Sequence, residues 1–427
     1  MTANQPSAAP LPARSPAALA FGTSRVILRA FLAACLAVAL IEALSLGFPG
    51  KIHRDDRMAD WYAFHIAGQL TSEGRAAANY DFTALQAEQI ARTGKQAFMP
   101  WAYPPPFTLA TAPLALLPAA WSYLATQLAL LGWFLWTVRR AAGAHLPAAL
   151  AAAMPAMITN IACGQNGFLT GALIGSFLLA LHEGAPRGGW RPGTALGAML
   201  IKPHLAVAIA LLALLERRWK ALALAAGITL AASAVTTLAL GPAIWTAFLG
   251  ATRAATVFLW AGDYPMERMS SLYACLARFG VAPGPAMALH GAAALAALAM
   301  LVQAWRHKMP RAWLLALAGA VSLLISPYAY DYDMPLLAVL AALVWPGLLA
   351  RADGREIAGL FALAWLACGN GLWVMAWQIT HPGASDSAVM SLSAPALIAL
   401  IAACALVLRR PVSAAVSANP PPHPAAG

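Results

Sequence analysis

The sequence predicts an all-α integral membrane protein, and three observations carry that prediction. Of the 427 residues, 61% are apolar and only 10% charged, against roughly a quarter charged in a soluble domain. The charge is gathered into short clusters, and between them run long stretches of Ala, Leu, Val and Ile. Such stretches take lipid, rather than a protein core, as their main apolar solvent. The net charge of +11 does not mark a nucleic-acid binder, because the Lys and Arg residues flank apolar segments as orientation signals do. The five cysteines are scattered without a CxxC pair and read as small apolar filler, giving neither a disulfide framework nor a metal site.

Residues 1–24 and 411–427, rich in Pro, Ala and Ser, have the composition of disordered segments, which leaves 25–410 as one polytopic domain. The first apolar run, 26–48, exceeds a signal-peptide core and is expected to stay as a span. Arg14, Arg25 and Arg29 hold its leading end in the cytoplasm, so a first loop, 49–120, lies outside. Basic clusters then act as a ruler: Arg139-Arg140, Arg187 with Arg191, Arg217 to Lys220, Arg306 to Arg311, Arg351 with Arg355, and Arg409-Arg410. Placing all of them inside predicts further spans near 121–138, 146–162, 168–183, 221–240, 286–305, 312–329, 333–349, 357–377 and 394–408. That makes about ten crossings with both termini cytoplasmic.

Two apolar segments fit no full crossing. Residues 105–117, PPFTLATAPLALL, are too short and are predicted to form a juxtamembrane half-helix at the outer interface. Residues 193–215 have basic clusters on both sides. A re-entrant helical hairpin with Lys202-Pro203-His204 at its tip satisfies the charge rule, since proline cannot continue a helix. Non-helical backbone at that depth needs a protein wall or a wet cavity. A tilted span that breaks the charge rule is the alternative. Residues 241–285 read as a second outer loop, with Trp245, Phe258 and Trp260 as interfacial aromatics.

The polar residues that a membrane helix does not need all fall on the outer side of this topology. Asp55, Asp56 and Asp60 put three carboxylates within six residues just past the first span. They either supply a general base for an acceptor hydroxyl or form a solvated charged loop. Tyr103 leads a proline run that fixes extended backbone. Gln165 and Asn166 lie in a small-residue turn between two spans, where their amides can bond sugar hydroxyls. Lys202 sits in an apolar run, where a lysine costs about 2.5–3.5 kcal/mol and needs a partner, a pathway or an interface. With His204 it could hold a phosphate. Ser326-Pro327-Tyr328-Ala329-Tyr330-Asp331-Tyr332-Asp333 holds more tyrosines and carboxylates than a turn requires. No Walker or dinucleotide glycine loop is present, and no metal-ligand spacing or internal repeat is evident.

The order of these features resembles glycosyltransferase family 87, membrane enzymes of the C-type glycosyltransferase fold. The matching pieces are Asp60-Trp61-Tyr62 with Gly74 and Tyr80-Asp81, Tyr103-Pro104-Pro105, Gly164-Gln165-Asn166, Lys202-Pro203 followed by Glu216-Arg217-Arg218-Trp219, and Ser326-Pro327-Tyr328. The chain departs from the pattern around Gly74, where Ser72, Glu73 and Arg75 are more polar, and in its Tyr-Ala-Tyr-Asp-Tyr-Asp continuation. The resemblance implies an inverting, metal-independent hexosyltransferase without cofactor, in the bacterial inner membrane with its active site facing the periplasm. Its donor would be a polyprenyl-phosphate sugar, most often mannose, and its acceptor a lipid or glycan. The implied partners are these substrates and membrane lipids, with no nucleic acid and no obligate protein partner. The implied base is Asp60, with Asp55 and Asp56 as alternatives. Lys202, His204 and Arg57 would hold the donor phosphate. Tyr62, Tyr103, Gln165, Asn166, Tyr328, Tyr330 and Asp331 would contact substrate. A flippase or transporter of lipid-linked sugars, or another outer-face glycan transferase or ligase, are the competing readings.

Overall fold

The structure is a computed structural model, and it describes residues 20–48, 59–96, 98–381 and 389–412. Most of the two tails expected to be disordered, and the segment with Asp55, Asp56 and Arg57, lie outside the described residues. Within them the chain is helical, with no strand and one isolated bridge between Met269 and Tyr330.

The helices are α1 Arg25–Gly47, α2 Trp61–Ser72, α3 Phe82–Thr93, α4 Pro105–Thr111, α5 Ala119–Ala142, α6 Leu146–Ala152, α7 Met154–Cys163, α8 Gly167–His182, α9 Trp190–Ala198 and α10 Pro203–Leu215. They continue as α11 Trp219–Leu240, α12 Ala243–Ala261, α13 Leu272–Arg278, α14 Pro283–Arg306, α15 Arg311–Leu324, α16 Leu336–Leu349, α17 Gly354–Cys368, α18 Asn370–Thr380 and α19 Ser393–Leu408. Their ends follow local chemistry. The Ser24 hydroxyl accepts from the Ile27 amide and Asp81 from those of Thr83 and Ala84, while Asp353 and Glu356 form a reciprocal capping box, each satisfying orphan N–H groups.

The multi-pass membrane character holds, but the count is coarser than the basic ruler suggests. Four helices, α1, α11, α12 and α14, are long and apolar enough to cross, or six if each of two bent pairs is one span. The pairs, Ala119–Ala152 with α7 and α17 with α18, each bend by 67°. Pro155 near the start of α7 and Gly369 between α17 and α18 stand at the breaks. The segments expected near 168–183, 312–329, 333–349 and 394–408 do form helices, α8, α15, α16 and α19. At 14 to 16 residues they fall short of the roughly 20 needed for a full hydrocarbon core.

The segment around 193–215 returns to where it began. The Arg218 guanidinium donates to the Ala185 carbonyl at 3.0 Å, and Arg187 reaches the Glu216 carbonyl at 3.4 Å. Between these contacts the chain climbs through α9, turns at Lys202 and descends through α10, whose 13 residues are ~20 Å long. The half-helix is also present as α4 with a following 3₁₀ turn, Ala112–Leu116. It lies so close to α2 that a Cβ on Gly68 would collide with the Thr111 carbonyl oxygen.

Four helices were not foreseen: α2 and α3 in the first loop, and α12 and α13 in the second. The stretch 241–285, read as a loop, contains α12, 19 residues long and apolar enough to cross. Its neighbours show that it does not carry the chain to the opposite end. Phe248 packs on Tyr80 and Phe258 on Phe82, so both halves of α12 rest on the helices that follow α1. Tyr273 beyond it bonds back to the Leu259 carbonyl at 3.1 Å.

Basic residues gather at one end of the bundle. Glu183 receives Arg140 and Arg191, and Glu216 receives Arg218 and Arg311. Glu356 receives Arg410, and Arg351 stacks over Trp313. The tyrosines, with Asp60, Asp331 and Asp333, gather at the other end, where the 164–167 turn meets 326–333. That contact requires glycine at position 167, because a Cβ there would overlap the Tyr332 carbonyl oxygen. Gly167→Ala should therefore cost about 1–3 kcal/mol through overpacking, seen as a lowered thermal midpoint of the detergent-solubilised protein. Gly132→Ala, with open space around it, should leave the midpoint unchanged or raised.

Candidate active site

Asp60 stands at the N-cap of α2, where an aspartate ordinarily caps its own helix. Its side chain makes no such bond. Instead the carboxylate accepts from Gln165 Nε2 at 3.0 Å, joining the first loop to the α7–α8 turn. That turn is fixed from behind. Gly164 takes a left-handed φ of 71°, Gln127 Nε2 donates to the Gln165 carbonyl at 2.9 Å, and Asn160 Oδ1 accepts from the Gly167 amide at 2.8 Å. The next residue, Asn166, donates to the Tyr103 hydroxyl at 3.2 Å, while its Oδ1 is buried without a hydrogen-bond partner among the described residues. Tyr103 is held in turn by its carbonyl, which accepts from Tyr80, and by ring contacts with Phe64, Trp101 and Phe107.

Two ion pairs, one buried and one half-buried, complete the cluster. Lys202, at the hairpin tip, donates to Asp333 Oδ1 at 2.7 Å, with side-chain exposures of 7% and 1%. Arg268 grips Asp331 with two bonds, Nε to Oδ2 at 3.0 Å and Nη2 to Oδ1 at 3.1 Å, and Nη2 also reaches Cys163 Sγ. Tyr332, stacked on Tyr330 at 5.0 Å, lies beneath both cations, 4.9 Å from Lys202 Nζ and 5.9 Å from the Arg268 guanidinium. Each cation keeps donors in reserve. Lys202 has three N–H groups and Arg268 five, and Nη1 of Arg268 makes no hydrogen bond among the described residues.

Burial pushes the Asp60 carboxyl above its ordinary pKa; Arg268 and the Gln165 hydrogen bond pull against that, Asp331 raises it again, and Lys202 lowers it. The carboxyl thus sits half-buried between two cations and a second carboxylate, which suits a base tuned toward neutral pH.

Asp60, Tyr103, Gln165, Asn166, Lys202, Tyr330 and Asp331 therefore converge. His204 lies on the first turn of α10 next to Lys202, its Nε2 buried without a partner among the described residues. Tyr328 is adjacent but packs edge-on against Tyr264 at 6.2 Å. Tyr62 turns its hydroxyl toward the end of α1, 3.5 Å from the Leu46 carbonyl. Asp55, Asp56 and Arg57 lie outside the described residues. Arg268, Asp333 and Tyr332 were not singled out as site residues from sequence. The missed signal is charge arithmetic: two buried carboxylates in Tyr330-Asp331-Tyr332-Asp333 call for two cations, and Lys202 supplies one. The polar turn around Gly74 proves to be surface, where Arg92 pairs with Glu73 and Arg75 with Glu88.

A helical membrane protein that gathers a half-buried carboxylate, two cations and several sugar-sized hydrogen-bonding groups at one end has the make-up of a membrane enzyme. The family model for glycosyltransferase family 87 matches residues 101–327, more than half of the chain. The chain belongs to glycosyltransferase family 87 and is a glycosyltransferase. The matched stretch includes Tyr103, Gln165, Asn166, Lys202 and Arg268, whereas Asp60 and residues 328–333 fall outside it. No curated protein and no solved structure matches the chain.

Removing one member of a buried pair strands the other. Lys202→Met should cost about 3–5 kcal/mol, and the double variant Lys202→Met/Asp333→Leu should recover most of that in thermal unfolding without regaining transfer. Additive losses in the double variant would argue against the pairing.

Proposed function

We propose that the enzyme moves a hexose, with mannose as the first candidate, from a polyprenyl-phosphate donor to a hydroxyl of a lipid or glycan acceptor. The observation that carries this reading is the position of Asp60, held by Gln165 beside Arg268 and Lys202 at the end of the bundle opposite the basic clusters. The positive-inside rule assigns the basic end to the cytoplasm, so the site faces outward, to the periplasm if the membrane is a bacterial inner membrane. In this arrangement the short helices α8, α15, α16 and α19 cross with the help of their non-helical ends. The site is then recessed in the outer half of the membrane, and about ten crossings in a C-type glycosyltransferase arrangement follow.

In the reaction, Asp60 takes the proton of the acceptor hydroxyl as its oxygen attacks the anomeric carbon. The bond from that carbon to the phosphate oxygen breaks with inversion, and polyprenyl phosphate leaves with the electron pair. Lys202 and Arg268 meet the growing charge with the donors that Asp333 and Asp331 leave unused. Arg268 joins Lys202 in this role, and Arg57, expected to share it, lies outside the described residues. Two cations serving a monophosphate leaving group leave no strong call for a metal. The unpartnered Asn166 Oδ1 and His204 Nε2, with Tyr103 and Tyr330, are placed to bond sugar hydroxyls or phosphate.

Purified enzyme incubated with labelled polyprenyl-phosphate mannose and candidate glycolipids tests the reading. Asp60→Asn should lower transfer at least about 100-fold while donor binding survives; undiminished turnover would remove Asp60 as the base. A base acts only when deprotonated, so activity should fall as the pH drops through the raised Asp60 pKa. That acid limb should lie above the ~4 of a free carboxyl. Arg268→Gln removes a lowering charge and frees Asp331, so it should move the limb to higher pH. A limb that stays put in kcat/KM profiles would show that Asp60 is not the titrating group.

A further inference from the structure

Between α15, α16, α17 and α19 runs an open-sided cavity of about 540 Å³, within the range of ligand pockets. None of the active-site residues lines it. Small side chains create the space: Ala316 on α15, Ala341 on α16, Ala364 on α17 and Ala405 on α19 all face it. Protein interiors leave few voids larger than a water molecule, because atoms lining a gap lose their dispersion partners. An apolar groove of this size among membrane helices is therefore a place for an apolar chain. From Leu397 to Arg409 the α19 wall runs ~18 Å, close to one leaflet of a ~30 Å hydrocarbon core.

The groove is polar at one end, where His307 and Arg409 line it. Arg306 and Lys308 flank His307 in the same turn. At the same end Arg311 and Arg218 pair with Glu216, Arg410 with Glu356, and Arg140 and Arg191 with Glu183. Arg306, Lys308 and Arg409 have no carboxylate partner among the described residues. A cluster of uncompensated cations at the mouth of a groove one leaflet deep matches a lipid with an anionic headgroup.

We infer that this groove binds an anionic diacyl phospholipid, with an acyl chain between α15, α16 and α19 and the phosphate against Arg409 and the Arg306–Lys308 turn. The site is separate from the transfer site and stands whether or not the donor assignment above is right. Native mass spectrometry of the full chain, titrated with phosphatidylglycerol and with phosphatidylcholine of the same acyl chains, tests it. Phosphatidylglycerol should bind at least tenfold more tightly. Arg409→Gln, at an exposed position, should remove most of that preference. Ala341→Leu, which fills the groove, should reduce binding of both lipids, and retained glycosyl transfer would show that each variant is folded. Equal affinity for the two lipids in the unmodified chain, or an unchanged preference in Arg409→Gln, would overturn the inference. So would finding the groove occupied by polyprenyl phosphate or by a second copy of the chain.

Discussion

Two ion pairs on buried carboxylates, Lys202–Asp333 and Arg268–Asp331, hold together the end of the molecule where the chemistry lies. Each cation comes from a segment far in sequence from the turn at 326–333, and beside Arg268 the Met269–Tyr330 bridge and the Ser270 amide on the Ala329 carbonyl add backbone ties. Lys202 sits at the tip of a hairpin whose two ends meet near Glu216 and Ala185, and Arg268 follows a helix that rests on the first loop. Desolvating these four groups is costly, and their attraction offsets that cost only with close geometry and additional hydrogen bonds. The additional bonds are present. Asp333 also accepts from the Tyr330 amide and Asp331 from the Tyr332 amide, so the pairs fix the backbone on which the tyrosines stack.

The same arrangement sets the electrostatics of Asp60. A carboxylate that capped its own helix would be spent on backbone N–H groups. Here it is turned toward Gln165 and held in the field of two cations already neutralised by their partners. Each cation keeps N–H donors, so an anion can be met without breaking either pair. Catalysis by preorganised charge depends on such donors being fixed before the substrate arrives. Gly371 contributes by omission, since a Cβ at that position would strike Asp331 Oδ2.

The α12 helix shows why length and composition do not settle a crossing. It passes the same test as α1, α11 and α14, yet Phe248 and Phe258 both pack on the helices of the first loop. An aromatic face that finds protein partners can be buried beside the membrane as well as across it. Conversely, α8, α15 and α16 fall short of a full span but line the deep part of the bundle, where neighbouring helices satisfy their surfaces. In the same way, α5, α6 and α7 were legible as apolar segments, whereas the 67° bend between α6 and α7 depended on Pro155 and its packing.

The sequence by itself determined what depends on near neighbours. Runs of apolar residues placed the long apolar helices other than α12 within a few residues, and prolines with Ser, Asp and Gly caps marked their ends. The basic clusters identified the end of the bundle to which they belong, because helix formation and charge sidedness are local properties. It also marked the short apolar helix α4, the break at Lys202-Pro203, and most of the polar residues that converge. Only the tertiary structure decided which carboxylate answers which cation. Lys202 and Asp333 are 131 positions apart and Arg268 and Asp331 are 63 apart, and no periodicity encodes such a choice. It likewise brought Arg268 into the site, because a buried charge is placed by the partners that compensate it, and those partners come from distant parts of the chain.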